Sequence, residues 1–212
     1  MKETKQQAFW KSSFGKKYTD RSTLTPAQVD KLYWQVNGVK RSKVNQDFLG
    51  GLKTSSILEV GCNVGNILRM LNQDGRAKLL YGVEIQPYAV QKAHQLSPEL
   101  NVIEGSALDL PFKDSYFDLV YTSGVLMHIH PRDIKTVLRE IYRASKKYIW
   151  GFESYADNYE ETEYRGNKNC FWKANFAQMY QDLFPDLKLV KKASYLYKKQ
   201  TDKIDIVFLF KK

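Results

Sequence analysis

The hydrophobic pattern of the chain changes period once, near residue 50. From about Lys5 to Gly50 apolar residues recur at helical spacing. In "TPAQVDKLYWQVNGVKRSKVNQDFL", Val29, Leu32, Tyr33 and Val36 follow a Thr25 cap and a Pro26 at the first helical position. Beyond that point short apolar runs alternate with amphipathic ones. "SSILEVG" reads as a buried strand, "NILRMLNQ" as a helix, "KLLYGVEI" as a strand and "PYAVQKAHQL" as a helix opened by Pro87. "NVIEG" and "SYFDLVYTSG" are the next strands, "PRDIKTVLREIYRAS" is a helix with Pro131 in its first turn, and "KKYIWGFES" is a fifth strand. Strands alternating with helices at this spacing predict an α/β fold with a doubly wound, parallel sheet. "LKLVKKASYLYKK" and "KIDIVFLFKK", parted only by "QTD", predict a C-terminal antiparallel hairpin and bring the sheet to seven strands. Residues 1–50 are expected to form a helical lid or cap on a single structural unit spanning 51–212.

Composition narrows the class. A chain of 212 residues with 43% hydrophobic and 14% aromatic residues suits one folded domain. No run approaches the ~20 apolar residues of a membrane span, and "MKETKQQAFWKSSFGKKY" lacks the apolar core of a signal peptide, so a cytoplasmic protein with no membrane partner is expected. Cys62 and Cys170 show no paired metal-ligand spacing, and a metal-independent protein is expected. The formal charge of +10 is scattered over Lys40/Arg41/Lys43, Lys146/Lys147, Lys191/Lys192, Lys198/Lys199 and Lys211/Lys212. That distribution reads as a solvated basic surface in preference to a nucleic-acid face.

The chemistry begins at "ILEVGCNVGNIL", residues 57 to 68, where a strand enters a glycine-containing turn. A dinucleotide fingerprint fails twice, because Asn63 and Asn66 stand where the second and third glycines belong. The pattern that fits is acidic-x-G-x-x-x-G: Glu59, Gly61 and Gly65, followed at the end of the next strand by Glu84 and Ile85. The glycines allow a sharp turn and close approach to a ligand, and Glu84 can accept both hydroxyls of a ribose. Asparagine is among the least costly substitutes for glycine at positive φ, and its side chain adds a polar group to the loop.

Loop, Glu84 and "GSALDLPFKDSYFDLVYTSGVLMHI" in that order resemble the class I S-adenosylmethionine-dependent methyltransferases, with their Rossmann-like methyltransferase fold. The resemblance implies S-adenosyl-L-methionine as cofactor. It implies backbone contacts from Ala107 to adenine, packing of Leu108 near the ring, and Ser123, Gly124 and Val125 at the methionine end. Ser106 stands where an aspartate often takes the adenine amino group, with Asp109 the nearest acidic substitute or a turn residue. Two outer stretches, "FWKSSFGKKYTDR" and "EYRGNKNCFWKANF", resemble the pseudaminic acid biosynthesis-associated methylases over nearly the full chain. Tyr18 and Arg21 then close over the cofactor carboxylate or pack on the surface. Tyr155, Tyr164 and Arg165 would form a substrate wall beyond the carboxyl end of the sheet, where Arg165 could pair with a sugar-acid carboxylate.

Methyl transfer mainly needs alignment and exclusion of water, with a base only if the acceptor must lose a proton. His128 and Glu153 are the expected candidates, and His130, beside Pro131, reads as a helix-entry residue. The leading expectation is a methyltransferase acting on a hydroxyl or amine of a small sugar-like or nonulosonic-acid-type molecule. The alternatives are an RNA or protein methyltransferase and a noncatalytic cofactor-binding subunit. The sequence does not set the oligomeric state.

Overall fold

The computed structural model describes residues 3–200 and 202–212. Met1 and Lys2 of the expected 1–50 segment, and Thr201 of the "QTD" link, lie outside the described residues. Strand β1, Ser56–Val60, is buried at every position, as a strand covered on both faces must be. It pairs in parallel with β2 (Leu79–Glu84) and β4 (Phe117–Ser123). β3 (Asn101–Glu104) continues the parallel set beyond β2, and β5 (Ser145–Ser154) continues it beyond β4. β9 (Ile204–Lys211) runs antiparallel between β5 and the outer strand β8 (Lys188–Leu196). Among the described residues the sheet is seven-stranded in the order β3-β2-β1-β4-β5-β9-β8, the Rossmann-like methyltransferase architecture.

Alternate residues along the strands feed two cores. On one face Ile57, Leu119, Tyr121 and Trp150 pack with α5 (Asn66–Gln73), α6 (Pro87–Leu96) and apolar residues of the N-terminal helices. On the other, Leu58, Val60, Val120 and Phe208 pack with α7 (Ile134–Ala144) and α8 (Phe176–Leu183). Three features differ from the sequence reading. α7 starts at Ile134, and Pro131 lies in a preceding turn closed by Asp133 N–H to the His130 carbonyl at 2.8 Å. The hairpin strands are shorter than their apolar runs suggest: β8 ends at Leu196 and β9 begins at Ile204. Between β5 and β8 the chain crosses over through α8 and a two-stranded ribbon, β6 (Glu160–Glu161) with β7 (Trp172–Lys173).

Among the described residues the N-terminal segment is four helices: α1 (Lys5–Lys11), α2 (Ser13–Arg21), α3 (Pro26–Asn37) and α4 (Arg41–Leu49). Ser12 breaks the first pair by accepting the Phe14 N–H, and Thr25 caps α3 with a reciprocal Gln28 bond. Gly38, at φ 75, ends α3 in the left-handed conformation. Side chains fasten this segment to the sheet. Gln86 donates to the Trp10 carbonyl at 2.8 Å and the Ser12 carbonyl at 3.3 Å. Asn66 donates to the Ser22 carbonyl at 2.6 Å, and Tyr88 and Lys92 both reach Asp20. At the far end of α3, Lys198 N–H donates to the Val36 carbonyl and Asn37 to Asp205, tying the helix to the C-terminal hairpin.

This docking requires a glycine in α2. A β-carbon on Gly15 would lie 1.7 Å from the Trp10 carbonyl oxygen and 3.0 Å from Gln86 Nε2. Gly15→Ala is therefore expected to displace α1 and α2, at a cost of about 1–3 kcal/mol, while the sheet persists. Limited proteolysis should show faster cleavage before residue 26 with little loss of far-ultraviolet circular dichroism, and an unchanged cleavage pattern would contradict the packing described.

Candidate functional site

The turn after β1 sets the geometry at the carboxyl edge of the sheet. Gly61 and Cys62 donate their N–H groups to the Val83 carbonyl at 2.7 and 3.1 Å, which joins the turn to the end of β2. Gly61, at φ 73, approaches the loop after β4 so closely that a β-carbon would lie 2.6 Å from Val125 Cγ2. Asn63 takes φ 49, the left-handed region in which asparagine substitutes for glycine at small cost. Its N–H donates to Glu84 Oε2 at 2.8 Å, and Gln86 N–H donates to Glu84 Oε1 at 2.8 Å. Each carboxylate oxygen of Glu84 is thus held by one backbone donor and keeps acceptor capacity for a ligand. Burial raises the Glu84 pKa, against which these backbone bonds act.

A cavity of about 470 Å³ opens above this edge. Its wall includes Glu59, Gly61, Asn63, Glu84 and Ile85 from the first two strand ends, then Ser106, Ala107 and Leu108 after β3. Ser123, Gly124, Val125 and His128 line it from the loop after β4, and Tyr18, Arg21 and Arg165 from outside the sheet. Two atoms of the lining residues are orphaned: Asn63 Oδ1 and Gln6 Oε1 are buried and find no donor among the described residues. Gly65 is absent from the lining. At φ 71 it begins α5, turning the chain without facing the cavity.

A second cavity, of about 380 Å³, shares Tyr18, Leu32, Tyr33, Gly124 and His128 with the first. Tyr164 stacks on Phe171 in its wall, with centroids 5.4 Å apart. Asp205 also lines it, accepting from Asn37, Ser154 and Tyr197.

His128 stands between the two spaces. Its Nδ1 lies 2.7 Å from the Cys170 carbonyl oxygen. The carbonyl can only accept, so Nδ1 carries the proton and Nε2 keeps its lone pair. Burial lowers the His128 pKa to about 4, so the ring is neutral across the physiological range. Trp10, Tyr164 and Phe171 meet it edge-on at 4.7, 5.1 and 5.4 Å.

Several sequence expectations need correction. Glu153 is fully buried and lines neither cavity. It accepts the Val125 N–H at 3.0 Å and the Met127 N–H at 3.4 Å, so it braces the loop after β4 and is too enclosed to meet an acceptor. Tyr155 also lines neither cavity, and its hydroxyl is spent on Asp157. Arg165 lines the first cavity and Tyr164 the second, with the guanidinium over the Tyr164 ring at 5.7 Å. Ser106 Oγ already accepts from Gln7 Nε2 at 2.8 Å and Leu108 N–H at 3.1 Å, which leaves it a proton to give and no lone pair for an amino group. Asp109 is exposed in the turn that its N–H closes onto the Ser106 carbonyl, outside the lining.

Sequence reasoning placed Arg41 on a solvated surface, and the structure buries it completely. Its Nη1 donates to Tyr33 OH at 2.9 Å and Ser123 Oγ at 2.8 Å, and its Nε to Asn45 at 2.9 Å. The guanidinium lies over the rings of Tyr33, Trp150 and Phe152 at 5.2, 4.8 and 4.9 Å. Such ring faces favour a partly desolvated cation. Gln7, Trp10 and Gln86, which also line the cavity, were not singled out either. Among the described residues no group of three or more His, Cys, Asp or Glu is placed to hold a metal ion, and no helix is long and apolar enough to cross a membrane.

Residues 58–148 match the family model described as a methyltransferase domain. An uncharacterised methyltransferase of Synechocystis sp. is 30% identical over 90 residues, which are 42% of this chain and 42% of that protein. The 24-methylenesterol C-methyltransferase 2 of Arabidopsis thaliana is 35% identical over 96 residues, 42% of this chain and 26% of that one. The chain thus matches less than half the length of these curated relatives. Among solved structures, a geranyl diphosphate C-methyltransferase from Streptomyces coelicolor A3(2), in complex with Mg²⁺, geranyl diphosphate and S-adenosyl-L-homocysteine, superposes with a TM-score of 0.63. It is 12% identical and covers 81% of this chain and 78% of its own.

The bracing role of Glu153 has a pH signature. Burial raises its pKa from 4.5 to about 7. Between those values the folded protein keeps a proton that the unfolded chain has released, so the contribution to stability is full below pH 4.5 and lost as pH rises through about 7. In Glu153→Gln this dependence is expected to vanish. Urea unfolding at pH 5 and pH 8 should show the wild type losing on the order of 3 kcal/mol more than the variant across the window. Parallel pH dependences would refute the shift.

Proposed function

We propose that the protein, whose residues 58–148 match a methyltransferase-domain model, is a class I S-adenosylmethionine-dependent methyltransferase that transfers the cofactor's methyl group to a hydroxyl or amine of a small molecule. The acceptor in this reading is a sugar or nonulosonic-acid-type metabolite, as the resemblance to the pseudaminic acid biosynthesis-associated methylases implies. The observation that carries the proposal is the pair of joined cavities with His128 in their shared wall. The second has the volume of a small-molecule site.

The residues present fit the cofactor. Glu84 keeps acceptor capacity for two ribose hydroxyls, and the orphaned Asn63 Oδ1 awaits a donor. The absence of a side chain on Gly61 lets Val125 pack against the turn. Ala107 and Leu108 would border the adenine, while Glu59, Ser123, Gly124 and Val125 would border the methionine end. Tyr18 and Arg21 would cover the cofactor from α2, with Arg21 lying over the Phe14 and Tyr18 rings at 5.5 and 5.1 Å. The bound cofactor supplies a methyl group already activated by its sulfonium charge. The protein's part is then to hold the acceptor in line and keep water out. Neutral His128, its Nε2 lone pair unspent, would receive a proton from the acceptor, and Tyr164 would flank the acceptor's ring. No metal ion is required by this scheme. The burial of Arg41 takes one cation out of the basic surface that the nucleic-acid alternative relies on.

Calorimetric titration with S-adenosylmethionine tests the first step, and absence of binding to the purified protein would defeat the reading. Glu84→Ala is expected to weaken binding about 100-fold or more, the scale of two lost hydrogen bonds to a charged group. Unchanged affinity would remove the ribose contact. With methyl-labelled cofactor and either a metabolite extract or total RNA, label is expected in the metabolite fraction. Label confined to RNA or to protein would favour the alternative acceptors, and cofactor binding without transfer to any of them would favour a noncatalytic subunit.

A further inference from the structure

Arg41 contributes more than packing. The two N–H groups of its Nη1 are given to Tyr33 OH and Ser123 Oγ, and among the described residues neither hydroxyl donates to a protein acceptor. An oxygen that accepts from a buried cation has its own O–H polarised and turned away from that cation. Tyr33 and Ser123 both line the first cavity, so two hydroxyl protons are left for whatever occupies it. The charge behind them forms no ion pair, and the buried carboxyls of Glu59 and Asp205 feel it only at longer range. No carboxylate lies within ion-pairing distance of Arg41 among the described residues, and its Nη2 is buried without an acceptor. Glu59, in the same wall, has its pKa raised by burial to about 8 and donates little negative charge near neutral pH. A buried cation in this state favours an anion nearby, reached through the two hydroxyl dipoles.

On the cofactor reading above, we infer that Tyr33 and Ser123, backed by Arg41, form the seat for the α-carboxylate of the bound cofactor. Tyr33 and Ser123 touch the carboxylate in this assignment, and Arg41 is the positioning residue that fixes which way their protons point. Tyr33 also lines the second cavity, so the seat sits at the junction of the two spaces and sets the depth of the cofactor's amino-acid end relative to the acceptor.

The test compares two ligands that share adenosine and a thioether: S-adenosylhomocysteine, which bears the α-carboxylate, and 5′-methylthioadenosine, which lacks it. Calorimetric affinities are measured for the wild type, Tyr33→Phe, Ser123→Ala and Arg41→Met. The first two remove single hydroxyls without disturbing the buried guanidinium, so they remain decisive if Arg41→Met fails to fold. Each is expected to weaken S-adenosylhomocysteine about tenfold, the scale of one hydrogen bond to a charged group, and to leave methylthioadenosine within about twofold. Equal weakening of both ligands, or no change for S-adenosylhomocysteine, would overturn the seat while leaving the cofactor reading intact. A wild-type protein that binds neither ligand would overturn both.

Discussion

The carboxylate of Glu84 is the point on which the site depends. It sits at the end of β2, and its two oxygens take backbone N–H groups from Asn63 in one loop and Gln86 in another. Those loops follow adjacent parallel strands, and beyond the Gly61 and Cys62 bonds to the Val83 carbonyl it is this carboxylate that holds them in a common geometry. The Gln86 side chain carries the tie outward to the α1–α2 junction. Strand end, glycine turn and N-terminal helices are therefore connected through two side chains, Glu84 and Gln86. Burying a carboxylate is costly, and the backbone donors offset that cost while leaving acceptor capacity toward the cavity.

A second set of constraints works from the opposite side of the cavity. Gly124, at φ 68, turns the chain after β4, and Glu153 then gathers the N–H groups of Val125 and Met127. The short helical turn at Leu126–His128 places the His128 ring between the two cavities. The Cys170 carbonyl, delivered by the crossover between β5 and β8, selects its tautomer. The loop after β4 is thus positioned by a strand neighbour and by a segment more than forty residues away.

Much of this was legible in the sequence because it obeys local rules. The strands carry continuous apolar runs, Pro87 and Pro26 mark helix starts, and Glu59, Gly61 and Glu84 occupy turn and strand-end positions whose spacing follows the βαβ unit. What escaped depends on contacts between distant residues. Arg41 stands among lysines and looks like surface charge, and Ser123, its partner, is 82 residues away. Glu153 resembles an acid aimed from a strand end toward the ligand edge, and only the path of the neighbouring loop shows that backbone donors claim it. The two-residue strands β6 and β7 are too short to show a period, and the eight-residue helix α8 offers little more than two turns of one.

The position of Arg41 bears on the order in which the protein can assemble. Its guanidinium needs Ser123 from β4 and the rings of Trp150 and Phe152 from β5, while Asn37 and Val36 nearby are tied to Asp205 and Lys198. Helices that precede the sheet in the chain are consequently among the last to acquire their partners. Until β9 has joined the sheet, α3 and α4 must carry an unmatched charge and apolar side chains such as Val29, Val44 and Phe48 without a completed surface to cover them. Contacts of such sequence separation slow folding and lengthen the exposure of unfinished surfaces, so the same guanidinium that furnishes the cavity with two oriented hydroxyls also delays the completion of the fold.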